Sequence, residues 1–205
     1  MVISVTGSVA GQGRARDAGD AVIVAASLAD PERFSVLYDR YAAMLYRYAA
    51  RRVGPADAED AVAATFLAAF SARRRYDLGR ADARPWLFGI LTKELARRRR
   101  TEVARFRALA RAGPVQPAGG HEDQVAAQVS AQSARKTLAA ALARLAPDER
   151  GVLLLIAWGE LSYAEAAEGL GVPVGTVRSR LNRARRKVRE ALGGSDPTTA
   201  AEEGQ

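Results

Sequence analysis

The sequence predicts an all-α protein, two small helical domains joined by a flexible linker, and three observations carry that expectation. Apolar residues recur at spacings of three and four, and Val, Ile and Thr nowhere alternate as a half-buried strand requires. Ser, Asp and Pro stand where the periodic stretches begin, and Gly or Gly-Pro where they end. The periodicity then vanishes in GPVQPAGGHED, residues 113–123, whose Pro/Gly composition is that of a linker. The resulting division is a disordered tail at 1–20, a first domain at 21–112, a linker at 113–132, a second domain at 133–193 and a disordered tail at 194–205.

Composition narrows the function classes. In 205 residues, 48% hydrophobic content is enough for compact cores. A net charge of +8 implies an acidic partner, nucleic acid first and an anionic membrane surface second. Cysteine is absent, which excludes disulfides, thiol catalysis and zinc-finger chemistry and agrees with a reducing, cytoplasmic setting. No apolar run approaches the roughly 18 to 20 residues of a membrane span. The run at 21–29 imitates a signal-peptide core, but Asp17 and Asp20 spoil it, so it reads as a short first helix.

Asp30 as N-cap and Pro31 at the first helical position start a long helix to about Val53, with Phe34, Leu37, Tyr38, Tyr41, Leu45 and Tyr48 on its buried side. Gly54-Pro55 stops it. Asp57 caps the next helix, in which Val62, Phe66, Ala69 and Phe70 face inward. Its outer arc of Asp57, Asp60, Ala64, Leu67, Ala68 and Ser71 is less polar than a freely solvated face, which points to a partner surface or to an inconsequential alanine-rich one. A charged loop at 76–82 leads to a helix beginning near Arg84-Pro85-Trp86. There Trp86, Leu87, Ile90, Leu91 and Leu95 form the apolar arc, and Trp86 reads as core. The other arc collects Gly89, Thr92, Lys93, Ala96, Arg97 and Arg100, small residues and cations that would admit a nucleic-acid backbone.

In the second domain Leu138, Leu142 and Leu145 resume the period. Pro147-Asp148-Glu149 opens a helix with Val152, Leu153 and Ile156 inward and Gly159 as C-cap. Ser162 and Glu165 then form a capping box, and Leu170-Gly171-Val172-Pro173 breaks that short helix before a second one. This is a helix-turn-helix signature. In its second helix Val177, Leu181, Ala184 and Val188 share one narrow apolar stripe. Arg178, Ser179, Asn182, Arg183 and Arg186 lie opposite, flanked by Arg180, Arg185, Lys187 and Arg189, with no acid between Val174 and Arg189. Such a face fits a DNA major groove, where cationic arms meet phosphates and Arg, Ser and Asn reach base edges.

Rival classes explain less. An enzyme lacks its machinery: there is no phosphate-binding Gly loop with Lys and no HExxH, and the sole histidine, His121, falls in the linker. No catalytic residue, metal or cofactor is therefore expected. A stand-alone dimeric helix-turn-helix regulator accounts for the second domain and leaves the first unexplained. A membrane-surface helix would need large apolar residues beside its cations, and this one has small and branched ones.

At these residues the chain resembles the extracytoplasmic-function (ECF) group of bacterial RNA polymerase sigma factors. The second domain matches through LARLAPDERGVLLLIAWGELSYAEAAEGLGVPVGTVRSRLNRARRKVREAL. The first matches through DPERFSVLYDRYAAMLYRYAARRVG, DAEDAVAATFLAAF and ARPWLFGILTKELARRRR. The resemblance implies a non-enzymatic specificity subunit, monomeric outside the holoenzyme and not membrane-bound, that binds core RNA polymerase and promoter DNA to direct promoter recognition, melting and initiation. By that likeness a sigma domain two-like module docks Asp57, Asp60, Ala64 and Leu67 on the polymerase clamp helices. It handles the minus-ten element, and the loop and helical arc read above offer Arg80, Arg84, Thr92, Lys93, Arg97 and Arg100 as the candidate residues. A sigma domain four-like module sits on the polymerase flap and reads the minus-thirty-five element with Thr176, Arg178, Ser179, Asn182, Arg183 and Arg186. Such factors are commonly held inactive by a dedicated anti-sigma protein. The chain departs from the family pattern at Ala63-Ala64, where polar residues are usual, and at Lys93, where Asn is usual. Lysine holds a phosphate but cannot copy an amide's paired donor and acceptor on a base edge.

Overall fold

The computed structural model describes residues 19–112 and 122–193; the first predicted tail up to residue 18, the stretch 113–121 with His121, and the second predicted tail lie outside the described residues. Among the described residues the regular elements are helical: α1 (Asp20–Ala26), α2 (Ser35–Val53), α3 (Pro55–Ala72), α4 (Arg84–Arg97), α5 (Arg99–Arg111), α6 (Glu122–Arg144), α7 (Pro147–Ala157), α8 (Tyr163–Leu170) and α9 (Val174–Ala191). Short 3-10 turns, Pro31–Phe34 and Arg73–Arg75, lead into α2 and out of α3. The Asp30 carboxylate caps the first of these by accepting from the Glu32 amide at 3.3 Å.

Gly54 separates α2 from α3 with φ 98°, a conformation that favours glycine, and this lets Pro55 begin the next helix at once. Asp57 consequently stands inside the first turn of α3 and does not cap it, contrary to the sequence expectation. On α2, Leu37, Leu45 and Tyr48 are buried as predicted, whereas Tyr38 is 51% exposed and lies against Phe66 with ring centroids 4.9 Å apart. On α4 the buried residues are Pro85, Leu87, Phe88, Gly89, Leu91, Glu94 and Leu95, a wider set than one apolar arc supplies. The helix breaks at Arg98, so Arg100 belongs to α5 and leaves the arc of Lys93 and Arg97. In an unbroken helix Arg97 and Arg100, three positions apart, would be neighbours of like charge on one face.

Helix α6 begins at Glu122, inside the stretch 113–132 read as linker, because Ala and Gln there are good helix formers. It packs alongside α5. On α7 the buried apolar side chains are Val152, Leu154 and Leu155, while Leu153 and Ile156 are half-buried. The face is broader than predicted because α7 meets α4 as well as α8 and α9. Gly159 does not take the left-handed turn: Glu160 does, with φ 53°. Gly159 is needed for room, since a Cβ there would sit 2.7 Å from the Leu155 carbonyl oxygen and 3.3 Å from the Phe88 ring. The predicted capping box forms, with Ser162 Oγ accepting from the Glu165 amide at 3.2 Å and the Glu165 carboxylate accepting from the Ser162 amide at 2.7 Å.

Two helical modules can be distinguished, α1 to α5 and α6 to α9, but their buried side chains form one continuous core from Ile23 to Val188. The contact runs through α4 against α8 and α7, and through α5 against α6.

Candidate nucleic-acid interface

Helix α9 presents the predicted amphipathic division. Gly171, at φ 66°, closes α8 in the left-handed conformation and turns the chain into α9. Val177, Leu181, Ala184 and Val188 are at most 4% exposed and fix the helix on its apolar stripe. Arg178, Ser179, Asn182, Arg183 and Arg186 are exposed together on the other side, and Thr176 is half-buried at its rim. The Ser179 hydroxyl donates to the Thr176 carbonyl at 3.0 Å, which holds both near the helix N-terminus.

Part of this cationic face is tied to the start of α7. The buried Glu149 carboxylate accepts from Lys187 Nζ at 2.7 Å and from Arg183 Nε at 3.3 Å. The Lys187 hydrogen bond holds the Glu149 carboxyl below the usual carboxylate range, with Arg183 acting in the same sense. Arg180 turns aside to Asp148 at 2.7 Å, and Arg186 approaches Glu190 at 3.8 Å. Both pairs involve exposed carboxylates, so either cation can exchange its partner for a phosphate at small cost.

The predicted set around α4 is divided. Lys93, Arg97 and Arg100 are exposed, with Arg97 3.1 Å from Glu94. Arg80, Arg84 and Thr92 are instead engaged by or turned toward the second module. Arg80 pairs with Glu168 of α8 at 2.7 Å, and Arg84 donates to the carbonyl oxygens of Gly159 and Glu160. Thr92 lines a cleft of about 110 Å³ together with Arg99, Asp148, Arg150 and Arg180. The small residues expected to admit a nucleic-acid backbone thus receive helix α8: Gly89 and Gly169 approach so closely that a methyl group on either would strike backbone of the other module. The loop before α4 is anchored by the buried Asp20, which accepts from Arg40, from the Tyr41 hydroxyl and, at 2.7 Å, from the Ala83 amide. Trp86 is half-buried against Tyr76, with centroids 4.9 Å apart. Burial, with nearby carboxylates, pushes the Tyr76 phenol up to about 12.

The face of α3 stays open. Asp60 is exposed and Leu67 is 68% exposed, while Asp57 and Ala64 are half-buried beside them.

Family comparisons agree with this division. The Sigma-70 region 2 family model matches residues 37–105, and the Sigma-70 region 4 family model matches residues 135–188. The ECF RNA polymerase sigma factor SigL of Mycobacterium tuberculosis (strain ATCC 25618 / H37Rv) is 36% identical over 168 residues, covering 82% of this chain and 93% of SigL. This chain belongs to the ECF sigma factors. The RNA polymerase sigma factor CarQ of Myxococcus xanthus is 32% identical over 165 residues, which span 79% of this chain and 90% of CarQ. Among solved structures, CnrH in complex with the cytosolic domain of CnrY superposes with a TM-score of 0.58 at 26% identity, covering 86% of this chain and 98% of that one. As a sigma factor the chain is a non-enzymatic subunit that directs RNA polymerase to promoters.

Sequence reasoning missed three residues that this sigma factor buries between elements. Glu102 of α5 is 2% exposed and accepts from Arg52 Nε of α2 at 2.6 Å. Its other oxygen accepts from Arg150 of α7 at 2.9 and 3.1 Å. Arg150 also donates to the Leu142 and Leu145 carbonyls, at 3.2 and 3.1 Å. The available signal was a lone acid in the basic tract RRRRTEVARFR. A carboxylate there must be answering cations, and two of its answers lie far away in sequence.

Proposed function

We propose that this ECF sigma factor grips its promoters at two points, reading the minus-thirty-five element with the exposed face of α9 and the minus-ten element with α4 and the loop before it. The observation that carries the reading is α9 itself. It is a capped helix-turn-helix whose second helix exposes Arg178, Ser179, Asn182, Arg183 and Arg186 on one side and buries four apolar residues on the other. Base contacts at about 1 to 3 kcal/mol each discriminate sequence, and phosphate contacts add affinity that falls steeply with salt. Fixing both modules on one polymerase makes the second engagement intramolecular, so avidity rises without new contacts. Docking on the polymerase clamp uses the open α3 face of Asp57, Asp60, Ala64 and Leu67, and the second module docks on the flap. Melting is assisted by Arg80, Arg84, Thr92, Lys93, Arg97 and Arg100, which hold the separated strand and offset the few kcal/mol of each unstacked base. Likeness to CnrH, solved with CnrY, supports control by an anti-sigma protein.

The test adds the purified chain to sigma-free core polymerase on a mixed promoter library. Specific run-off transcripts are expected. Tight binding to palindromic DNA without polymerase would instead favour a stand-alone regulator.

A further inference from the structure

We propose that Asp20, the first residue of α1, is a positioning residue for promoter opening: its buried carboxylate fixes the junction between the 76–83 loop and α4, the stretch that carries Arg80 and Arg84. The inference rests on the two-point reading above and adds to it a residue of the first helix. In the sequence Asp20 is only a charge in front of an apolar run. In the fold it is 2% exposed, and a carboxylate so deeply buried requires partners for its oxygens.

Those partners come from α2 and from the loop. Oδ1 accepts from the Arg40 guanidinium. Oδ2 accepts from the Tyr41 hydroxyl at 2.5 Å and from the Ala83 amide at 2.7 Å. The Tyr41 hydroxyl also lies 3.0 Å from Asp82 Oδ1, which accepts from the Arg84 amide at 2.7 Å. Burial, with Asp20 and Asp82 beside it, pushes the Tyr41 phenol up, so the hydroxyl keeps the proton it donates. Two successive amides at the entry to α4 are thus received by two carboxylates joined through one phenol. Amides there have no acceptor within their own helix. Ala83 is fully buried, so water cannot replace Asp20 while the loop keeps its place.

The first half of the loop holds itself. Asp77 accepts from the Gly79 amide at 3.0 Å and from Arg80 Nε at 3.2 Å, and the Tyr76 hydroxyl donates to the Arg80 carbonyl at 3.1 Å. Those bonds end at residue 80. Beyond it the chain is held across to α1 and α2, at Ala83 by Asp20 and at Asp82 by Tyr41. Helix α1 is therefore a brace for the segment between Arg80 and Arg84, and it makes no part of the α3 face proposed for the polymerase clamp. Removing the brace impairs opening and spares polymerase binding.

Asp20→Ala and Asp20→Asn, each as the full chain assembled with core polymerase on a promoter, separate positioning from stability. Asparagine retains one carbonyl oxygen for the Tyr41 hydroxyl and the Ala83 amide and gives up only the Arg40 pair, whereas alanine loses all three. Both substitutions should lower Tm. Only Asp20→Ala should slow open-complex formation, by about tenfold, with affinity for core polymerase within about twofold of the parent. Hydrogen exchange at the Ala83 amide of the free chain should quicken by about tenfold or more in Asp20→Ala and stay slow in Asp20→Asn. If Asp20→Ala does not fold, Tyr41→Phe takes its place; it removes the link to Asp82 and should slow opening by about threefold. Opening at the parent rate in the folded variant would overturn the proposal, as would unchanged exchange at Ala83 in Asp20→Ala. So would an Asp20→Asn holoenzyme as slow as Asp20→Ala, since the effect would then belong to the Arg40 pair. Arg80→Ala and Lys93→Ala tell the two readings apart: if they leave the minus-ten preference intact, the two-point reading fails, and if they alter it while Asp20→Ala does not slow opening, only the role of Asp20 falls.

Discussion

Arg183 of α9 and Glu149 of α7 show how single side chains divide their work. Arg183 is 48% exposed yet points its Nε at a carboxylate that is 9% exposed, so in the proposed DNA contact a phosphate competes with Glu149 for one guanidinium. Arg183→Ala is expected to lower initiation at promoters that depend on the minus-thirty-five element and to reduce the slope of affinity against salt by about one phosphate. Unchanged transcript yield at physiological salt would remove Arg183 from the contact. Glu149→Gln should do the reverse, freeing Arg183 and Lys187 and steepening the salt slope by about one to two phosphates. The same carboxylate makes a pH prediction with a definite sign. Its folded pKa is depressed, so its contribution is fully present above the unfolded value of about 4.3 and is lost as pH falls through the folded value. Acid melting of Glu149→Gln should lack that component, which thermal denaturation between pH 5 and pH 3 would reveal.

Among the elements, α8 is the shortest of the helix-turn-helix pair and depends most on its caps. It spans Tyr163–Leu170, too short to persist on propensity alone. Ser162→Ala removes the acceptor for the Glu165 amide and should cost about 1 kcal/mol, lowering Tm by about 2 to 4 °C. An unaltered Tm would mean that packing of α8 on α4 carries the helix without its cap. Sequence reading worked best for such elements. The capping box, the Gly171 turn and the stripe of Val177, Leu181, Ala184 and Val188 are local patterns, and each formed where its spacing required. Reading failed where a second surface arrived from far along the chain. Gly89 was placed on the arc meant to admit a nucleic-acid backbone and is buried because α8 covers it. Gly159 looked like a cap and is a space for the Phe88 ring. Period and propensity describe what a helix offers to one neighbour, and they carry no signal for a second.

At the scale of the whole molecule, one core shared by two modules changes how the chain should melt. The cluster runs without interruption from Ile23 to Val188, and the Glu102 triad ties α2, α5 and α7 together. Calorimetry of the parent chain should show one cooperative transition, and Gly169→Ala should split or broaden it as each module melts separately. Two well-resolved transitions in the parent would contradict the shared core. The exposed outer side of α3, with Leu67 at 68%, stands apart from this union.

The triad also sets an order in time. Arg150 follows Glu102 by 48 positions, and a chain is synthesised and folds from its N-terminal end. Until that stretch leaves the ribosome, Glu102 answers to Arg52 alone. The nascent polypeptide therefore passes through an interval in which its first half is complete before the second has joined the common core.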